Sequence, residues 1–386
     1  MEVIRLRLVL LAPLLLFAAG CGGGMAITTP PPLPQPSCVP ASPPEFAYVL
    51  NGYNVLMYTV DSCTGDLTPT TPASVATGTT PQEPEAEDMV AASSGKFVYV
   101  ANLVSNASDQ ATISMYTANS GTGVLTPTTP ATVPTGFLPQ GIAIDPSSKF
   151  VYTANSDDNT VSMFTVNPST GVLTPATPPA VAAGWSPDGV TVHPSGKFVY
   201  AANQDDDTIS MYSVNSTTGV LTPMTPATIP TGFSPFAITV DPSGKFAYVP
   251  DTYDQRNVLS QYTIDPTTGA LTPNTPPTAG TGDQPTAIAV DPSSSFAYVV
   301  NRADNTVWTY AIDPATGNLT SRGNIATGSE PFRVAVDPTG KFVYVTDESG
   351  EVSIYAIGSD GTLTSAGAVI TEGNAALSVA VTATQP

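Results

Sequence analysis

Few side chains in this sequence can carry acid–base or nucleophilic chemistry. A chain of 386 residues has one histidine, His193. No Ser-His-Asp set can be drawn without it, and no His/Cys set has metal-ligand spacing. The glycine run at 22–24 has no strand before it, so it is no phosphate-cradling loop. What remains are carboxylates and guanidinium groups. Glu87 lies in the acidic run "EPEAED" and Asp188 in "PDGV". Either is a candidate general base if its surroundings raise its pKa. Arg256, Arg302 and Arg333 are candidates for holding an anionic group, because the guanidinium fork matches a carboxylate or phosphate. Arg302 and Arg333 are also candidates for stabilising a developing oxyanion. The alternative for the arginines is local pairing with Asp251, Asp254, Asp304 or Glu348.

Whether these groups meet depends on the elements that carry them, and those elements are repeats. "EFAYVLN", "KFVYVAN", "KFVYTAN", "KFVYAAN", "KFAYVPD", "SFAYVVN" and "KFVYVTD" place Phe46, Phe97, Phe150, Phe198, Phe246, Phe296 and Phe342 at matching points. The spacing is about 49 residues, within the range of propellers and solenoids. Each unit reads as four short strands. They are an apolar triplet such as "IAI" (142–144), the "FVYVAN" type, the "TISMYSV" type and "VLTP". Turns of the "DPSGK" and "NPSTG" types separate them, and β-branched and aromatic residues fill the strands. Four antiparallel strands per unit make a blade, so the expected fold is all-β, a seven-bladed β-propeller. The first unit lacks a leading triplet, and "LSVAV" (377–381) is a triplet with no unit after it. The C-terminal strand is therefore expected to join the N-terminal blade and close the ring, hiding its edges. An open β-solenoid is the alternative, but it needs no complementary half-units.

In such a ring the innermost strand starts near one face and the second strand returns to it. The "DPSGK" turns then lie on the opposite face, taking Lys96, Lys149, Lys197, Lys245 and Lys341 with them. His193 falls there too, in the position that Asp145 and Asp241 occupy in other copies. It reads as a turn residue. Arg256, Arg302 and Arg333 share one arc of the candidate face. The opposite arc holds Glu87, Asp188, "SDDN" (156–159) and "QDDD" (204–207), with Phe137, Trp185 and Phe233 at equivalent connector positions. Trp185 is a candidate for binding a sugar or a partner, with packing between blades as the alternative. The Asp clusters match no twelve-residue calcium loop, and Asp is a common turn former, so no metal or cofactor is expected. The residues ending "YVxN" (Asn51, Asn102, Asn155, Asn203, Asp251, Asn301 and Asp347) read as turn caps.

The N-terminus has the pattern of an export signal over residues 1–20: Arg5 and Arg7, then "LVLLAPLLLFAAG". "FAAGC" resembles a bacterial lipoprotein box, which implies lipid on Cys21 and a membrane anchor. Residues 21–44 then read as a Gly/Pro-rich tether and 45–386 as the propeller. Cys38 and Cys63 are expected to pair in an oxidising compartment, two unpaired thiols being the alternative. A net charge of −20 repels phosphate backbones. Nucleic acid is therefore not an expected partner.

"YVAN", "ISMYSVN", "TGVLTP" and "DPSGKF" together are similar to the seven-bladed propellers of the lactonase family, which includes 6-phosphogluconolactonase-like enzymes. They also resemble the YVTN-repeat proteins of cell envelopes. The resemblance covers residues 45–386. It implies a pocket with Arg and His, the His just after the Pro that precedes the innermost strand. Here those positions read Gln140, Asp188, Phe236, Thr286 and Phe332. The candidate ligand-binding residues are thus Gln140, Phe236, Phe332, Trp185 and Arg256, beside Glu87, Asp188, Arg302 and Arg333 as candidate catalytic groups. Two functions compete. The leading expectation is a monomeric, envelope-tethered module that binds a small molecule, a glycan or an envelope protein. The other is a lactone hydrolase acting outside the cytoplasm on a non-phosphorylated sugar lactone or an aromatic-acid lactone.

Overall fold

A computed structural model describes residue 38 and residues 44–78, 86–103, 111–252, 257–371 and 375–382. The described residues form seven four-stranded antiparallel sheets and no helix. Six sheets take their strands in chain order. In the seventh, blade 1, the C-terminal strand Ser378–Thr382 pairs antiparallel with Glu45–Leu50, aligning Tyr48 with Ala380. The N-terminal blade thus receives its innermost strand from the C-terminus, as the half-units at the two ends of the sequence imply. Blades 2 to 7 follow in chain order, with innermost strands Ala86–Ala91, Pro139–Ile144, Pro187–Val192, Thr239–Val240, Pro285–Val290 and Pro331–Val336.

The core lies between blades rather than within them. One apolar cluster joins Phe97, Tyr99 and Met115 of blade 2 to Ile142, Val151 and Phe164 of blade 3. The repeated Phe and Tyr of each second strand make this joint specific. Tyr48, Tyr99, Tyr152, Tyr200, Tyr248, Tyr298 and Tyr344 each donate a hydroxyl to a glycine carbonyl in the next blade, at 2.7–3.1 Å. The last of them, Tyr344 to Gly65, links blade 7 back to blade 1. The glycine is required twice over. Gly123 has φ +69°, and a Cβ there would lie 2.2 Å from the Phe46 ring.

Two details depart from the sequence reading. The outermost strand is longer than "VLTP" and runs through the Pro-rich stretch, as in Leu125–Pro134. As an edge strand it has an open side where a missing N–H leaves no ladder bond unmade. Blade 5 has only the two-residue innermost strand Thr239–Val240, preceded by an isolated bridge from Pro235 to Asp251. The cause is Pro250, which replaces a hydrogen-bonding residue in the second strand. Its carbonyl accepts from Phe236 N at 3.4 Å, but it has no N–H to return.

Candidate functional site

The innermost strands carry the site, and a local irregularity aims their side chains. The register to the second strand slips between Ala86 and Asp88, Pro139 and Gly141, Pro187 and Val190, Pro285 and Ala287, and Pro331 and Arg333. Such β-bulges release a residue from the ladder and turn its side chain. The released residues include Glu87, Gln140, Asp188, Thr286 and Phe332. One position further on, glycine closes part of the ring. A Cβ on Gly141 would lie 2.5 Å from the Asp188 carbonyl oxygen, and one on Gly189 would lie 2.7 Å from the Ala237 Cα. Blades 3, 4 and 5 therefore meet backbone to backbone. At the same position blades 7, 1 and 2 place Arg333, Ser378 and Asp88 instead. A cavity of about 190 Å3 opens there, lined by these three residues together with Gly189, Ala237 and Ala287, among others.

Asp188 stands beside this cavity, next to its lining residue Gly189. The residue is 5% exposed, and its Oδ1 is buried without a hydrogen-bond partner. Burial pushes its pKa up to about 7, opposed by the positive charge of Arg333 and assisted by Glu87 and Asp88. Arg333 is clamped by aromatic rings. Its guanidinium carbon sits 4.8 Å from the Phe332 centroid and 5.3 Å from that of Phe236, and the two rings meet edge to face at 5.7 Å. This cation–π seat fixes a charge that has no ion-pair partner among the described residues. Asp88 Oδ1 accepts from Met89 N and from Ser378 Oγ, both at 2.9 Å, and its Oδ2 accepts from Ile142 N at 3.3 Å.

The structure thus brings Asp188, Arg333, Phe236, Phe332 and Glu87 together, with Gln140 at the equivalent bulge of blade 3. Arg302 and Trp185 have other partners. Arg302 is bound to Glu348 at 2.6 Å and Glu330 at 2.9 Å, which is the local pairing that its loop position allows. Trp185 is 66% exposed, and its backbone N–H donates to Asp206 Oδ2 at 2.7 Å. Arg256 and Cys21 lie outside the described residues. Cys38 and Cys63 are each disulfide-bonded.

The acidic loops have a structural task. Asp158, Asp206 and Asp304 accept from the connector N–H groups of Phe137, Trp185 and Asp283 at 2.7–2.8 Å. No group of three or more His, Cys, Asp or Glu among the described residues could hold a metal ion. His193 is buried in its turn, with Nδ1 2.8 Å from Ser195 Oγ and Nε2 2.8 Å from the Gly244 carbonyl. Sequence reasoning missed Asp88 and Ser378. The available signal was their position, where blades 3 to 6 carry only Gly or Ala.

A search of curated proteins finds no significant match. Solved structures share the fold. A Bacteroides fragilis protein named a "putative 6-phosphogluconolactonase" superposes with TM-score 0.71 at 20% identity, over 88% of this chain and 98% of that one. The Pseudomonas aeruginosa periplasmic gluconolactonase gives 0.70 at 19% identity, over 88% and 99%. A protein from Lactobacillus plantarum gives 0.69 at 20% identity, also over 88% and 99%. The profile of the family "Lactonase, 7-bladed beta-propeller" matches residues 42–184, 174–279 and 272–381, and the chain belongs to that family.

Proposed function

We propose that this protein hydrolyses a small lactone at the cavity between the innermost strands. One observation carries the reading: a buried carboxyl group, Asp188, has an unpartnered oxygen and a pKa raised to about 7 beside a fixed guanidinium. A general base works best when its pKa lies near the working pH. In the proposed reaction the Asp188 carboxylate takes a proton from water while the water oxygen bonds to the lactone carbonyl carbon. Arg333 stabilises the oxyanion that forms. As the tetrahedral intermediate collapses, the ring C–O bond breaks and the leaving oxygen recovers the proton from Asp188. The product is one hydroxy acid. Phe236 and Phe332 hold Arg333 in place and keep its surroundings apolar.

Family membership supports this reading over the binding-module expectation. Arg302, a catalytic candidate on the sequence, has no role in it, because it is paired with Glu330 and Glu348. For location we retain the proposal of an exported, membrane-tethered protein, supported by Arg5, Arg7 and the apolar run before Cys21. The test is hydrolysis of a lactone panel by wild type and Asp188→Asn. We expect kcat/KM to fall by about 10²- to 10⁴-fold in the variant, the usual contribution of general-base catalysis. Wild-type kcat/KM should rise through a limb near pH 7, because the ionised carboxylate is the active form. Turnover of no lactone, or equal turnover by the variant, rules the assignment out.

A further inference from the structure

The innermost strands that start beside the cavity end at the opposite face, in turns that carry Lys96, Lys149 and Lys197 in blades 2, 3 and 4. All three lysines are exposed, and none is in an ion pair among the described residues. These turns adjoin one another. Ser93 Oγ donates to the Pro146 carbonyl at 2.9 Å, and a recess of about 410 Å3 between blades 3 and 4 is lined by Lys149, Ser147, Ser195 and Ser216, among others. The turns between third and fourth strands share this face, and their capping residue varies in charge. Asn119, Asn167 and Asn215 cap them in blades 2 to 4, each Oδ1 accepting from the N–H groups two and three residues on. Asp61, Asp265 and Asp313 make the same two bonds in blades 1, 5 and 6. Either residue type serves the cap, so what the asparagines change is the charge. Asp145 is the acidic residue among the turns of blades 2 to 4 on this face. It is 4% exposed, and its carboxylate accepts from Ser147, Lys149 and Phe150. A protein of net charge −20 thus has a cationic arc. The chain also enters the propeller on this face. Glu45 pairs with Val60, the turn 61–66 follows, and Lys341 Nζ donates to the Ser62 carbonyl at 3.4 Å.

We propose that Lys96, Lys149 and Lys197 dock the ring on an anionic lipid surface, so that the cavity ends of the innermost strands face away from it. The choice of a lipid surface rests on the proposed membrane tether, residues 21–44, which joins the propeller at this face. The docking itself is a property of the lysine arc. Each lysine close to anionic headgroups adds attraction, and salt confines that attraction to about 8–10 Å. The innermost strands of blades 2 to 4 have 6 residues each. They hold the acidic loops of the cavity end about 20 Å from the arc, beyond the screening length.

The test is cosedimentation of the full-length chain with vesicles of phosphatidylcholine, alone or with about 30% phosphatidylglycerol, at low salt. The Cys21→Ser chain reads docking without lipid on that residue. We expect it to bind the anionic vesicles about 10- to 100-fold more tightly than the neutral ones, and Lys96→Gln, Lys149→Gln and Lys197→Gln each to weaken that binding by about 3- to 5-fold. Lys341→Gln, beside the acidic turn 61–66, should change it by less than about 2-fold, and Asp265→Asn, which keeps its cap and removes a charge, should tighten it by about 2- to 5-fold. A dye on Ser120→Cys, in a turn of this face, should be quenched by quencher-bearing lipid, and one on Asp205→Cys, at the cavity end, should not. Equal binding to both vesicles, an unchanged triple lysine variant or the reverse quenching pattern would overturn the proposal. Release by millimolar inorganic phosphate at constant ionic strength would overturn it too, by marking a site for a free anion. Absence of lipid on Cys21 in chain isolated from membranes, with the vesicle preference kept, would sink the tether reading and support the docking.

Discussion

Asp337 and Asp188 are both buried aspartates, on opposite sides of the working architecture. Asp337 is 0% exposed in a turn of the "DPTG" type. Its Oδ1 accepts from Lys341 N at 2.7 Å and Phe342 N at 2.6 Å, and its Oδ2 accepts from Thr339 N and the Thr339 hydroxyl. Asp145, Asp241 and Asp291 repeat the arrangement. Asp188, in contrast, leaves Oδ1 with no partner. Asp347 Oδ2 is also unpartnered, but the other oxygen of that carboxylate accepts from Ser349 and Glu351. Burial by itself therefore does not mark a site. A copy whose polar atoms are all satisfied is architecture, and unmet capacity beside a cavity is what chemistry can use. His193 makes the same point from the other direction: it departs from the repeat, yet both ring nitrogens have partners.

The sharpest way to break this contrast is stability. Asp337→Ala leaves several turn donors without an acceptor, and we expect a loss of roughly 3–5 kcal/mol in denaturant unfolding, the range for disrupting a buried network. A loss below the noise of such a measurement would mean that the turn network is dispensable. The next effect concerns pH. Asp188 has a folded pKa raised to about 7 from an ordinary 3.8. Between these values the unfolded chain releases a proton that the folded chain keeps, so wild-type stability falls as pH rises from about 4 to 7 and is flat above. Relative to wild type, Asp188→Asn should gain on the order of 4 kcal/mol across that window. A stability difference that does not change with pH would place the carboxyl in water rather than in the protein interior.

A smaller effect sharpens the electrostatics. Arg333 lowers the pKa of Asp188, so Arg333→Gln should move the ascending limb of kcat/KM upward from pH 7, by up to about one unit. A limb that stays put would show that the guanidinium does not act on this carboxyl. The smallest effect is expected at His193→Asp, which restores the residue of the other turns. It exchanges one satisfied arrangement for another, so stability should change by less than about 1 kcal/mol. A larger loss would give the His193–Gly244 bond a weight that its sister turns do not need.

Much of the ring was legible in the chain. Phe46 to Phe342 mark the seven units because each Phe and its paired Tyr must grip the next blade's glycine, and that requirement recurs at a fixed interval. The terminal half-units implied closure because an innermost strand cannot stay unpaired. The pairing of Arg302 with Glu348 was foreseen as one alternative for a loop arginine. The site was only partly legible. Asp188 and Arg333 stood out as departures from the repeat, but Asp88 and Ser378 lie 290 residues apart, and nothing in their local sequence shows that they share a hydrogen bond.

What the sequence determined by itself was periodic: strand type, turn chemistry, blade number and the order of closure, all governed by contacts within one unit or with its neighbour. The tertiary structure alone decided which departures from the repeat matter. Curving seven blades into a ring brings residues of blades 1, 2, 4, 5, 6 and 7 to one cavity, and bulges turn some residues out of the ladder. Burial and the field of the other charges then raise the Asp188 pKa to about 7. Solvation and Coulomb energies depend on distances through space, which a repeat in the chain does not encode.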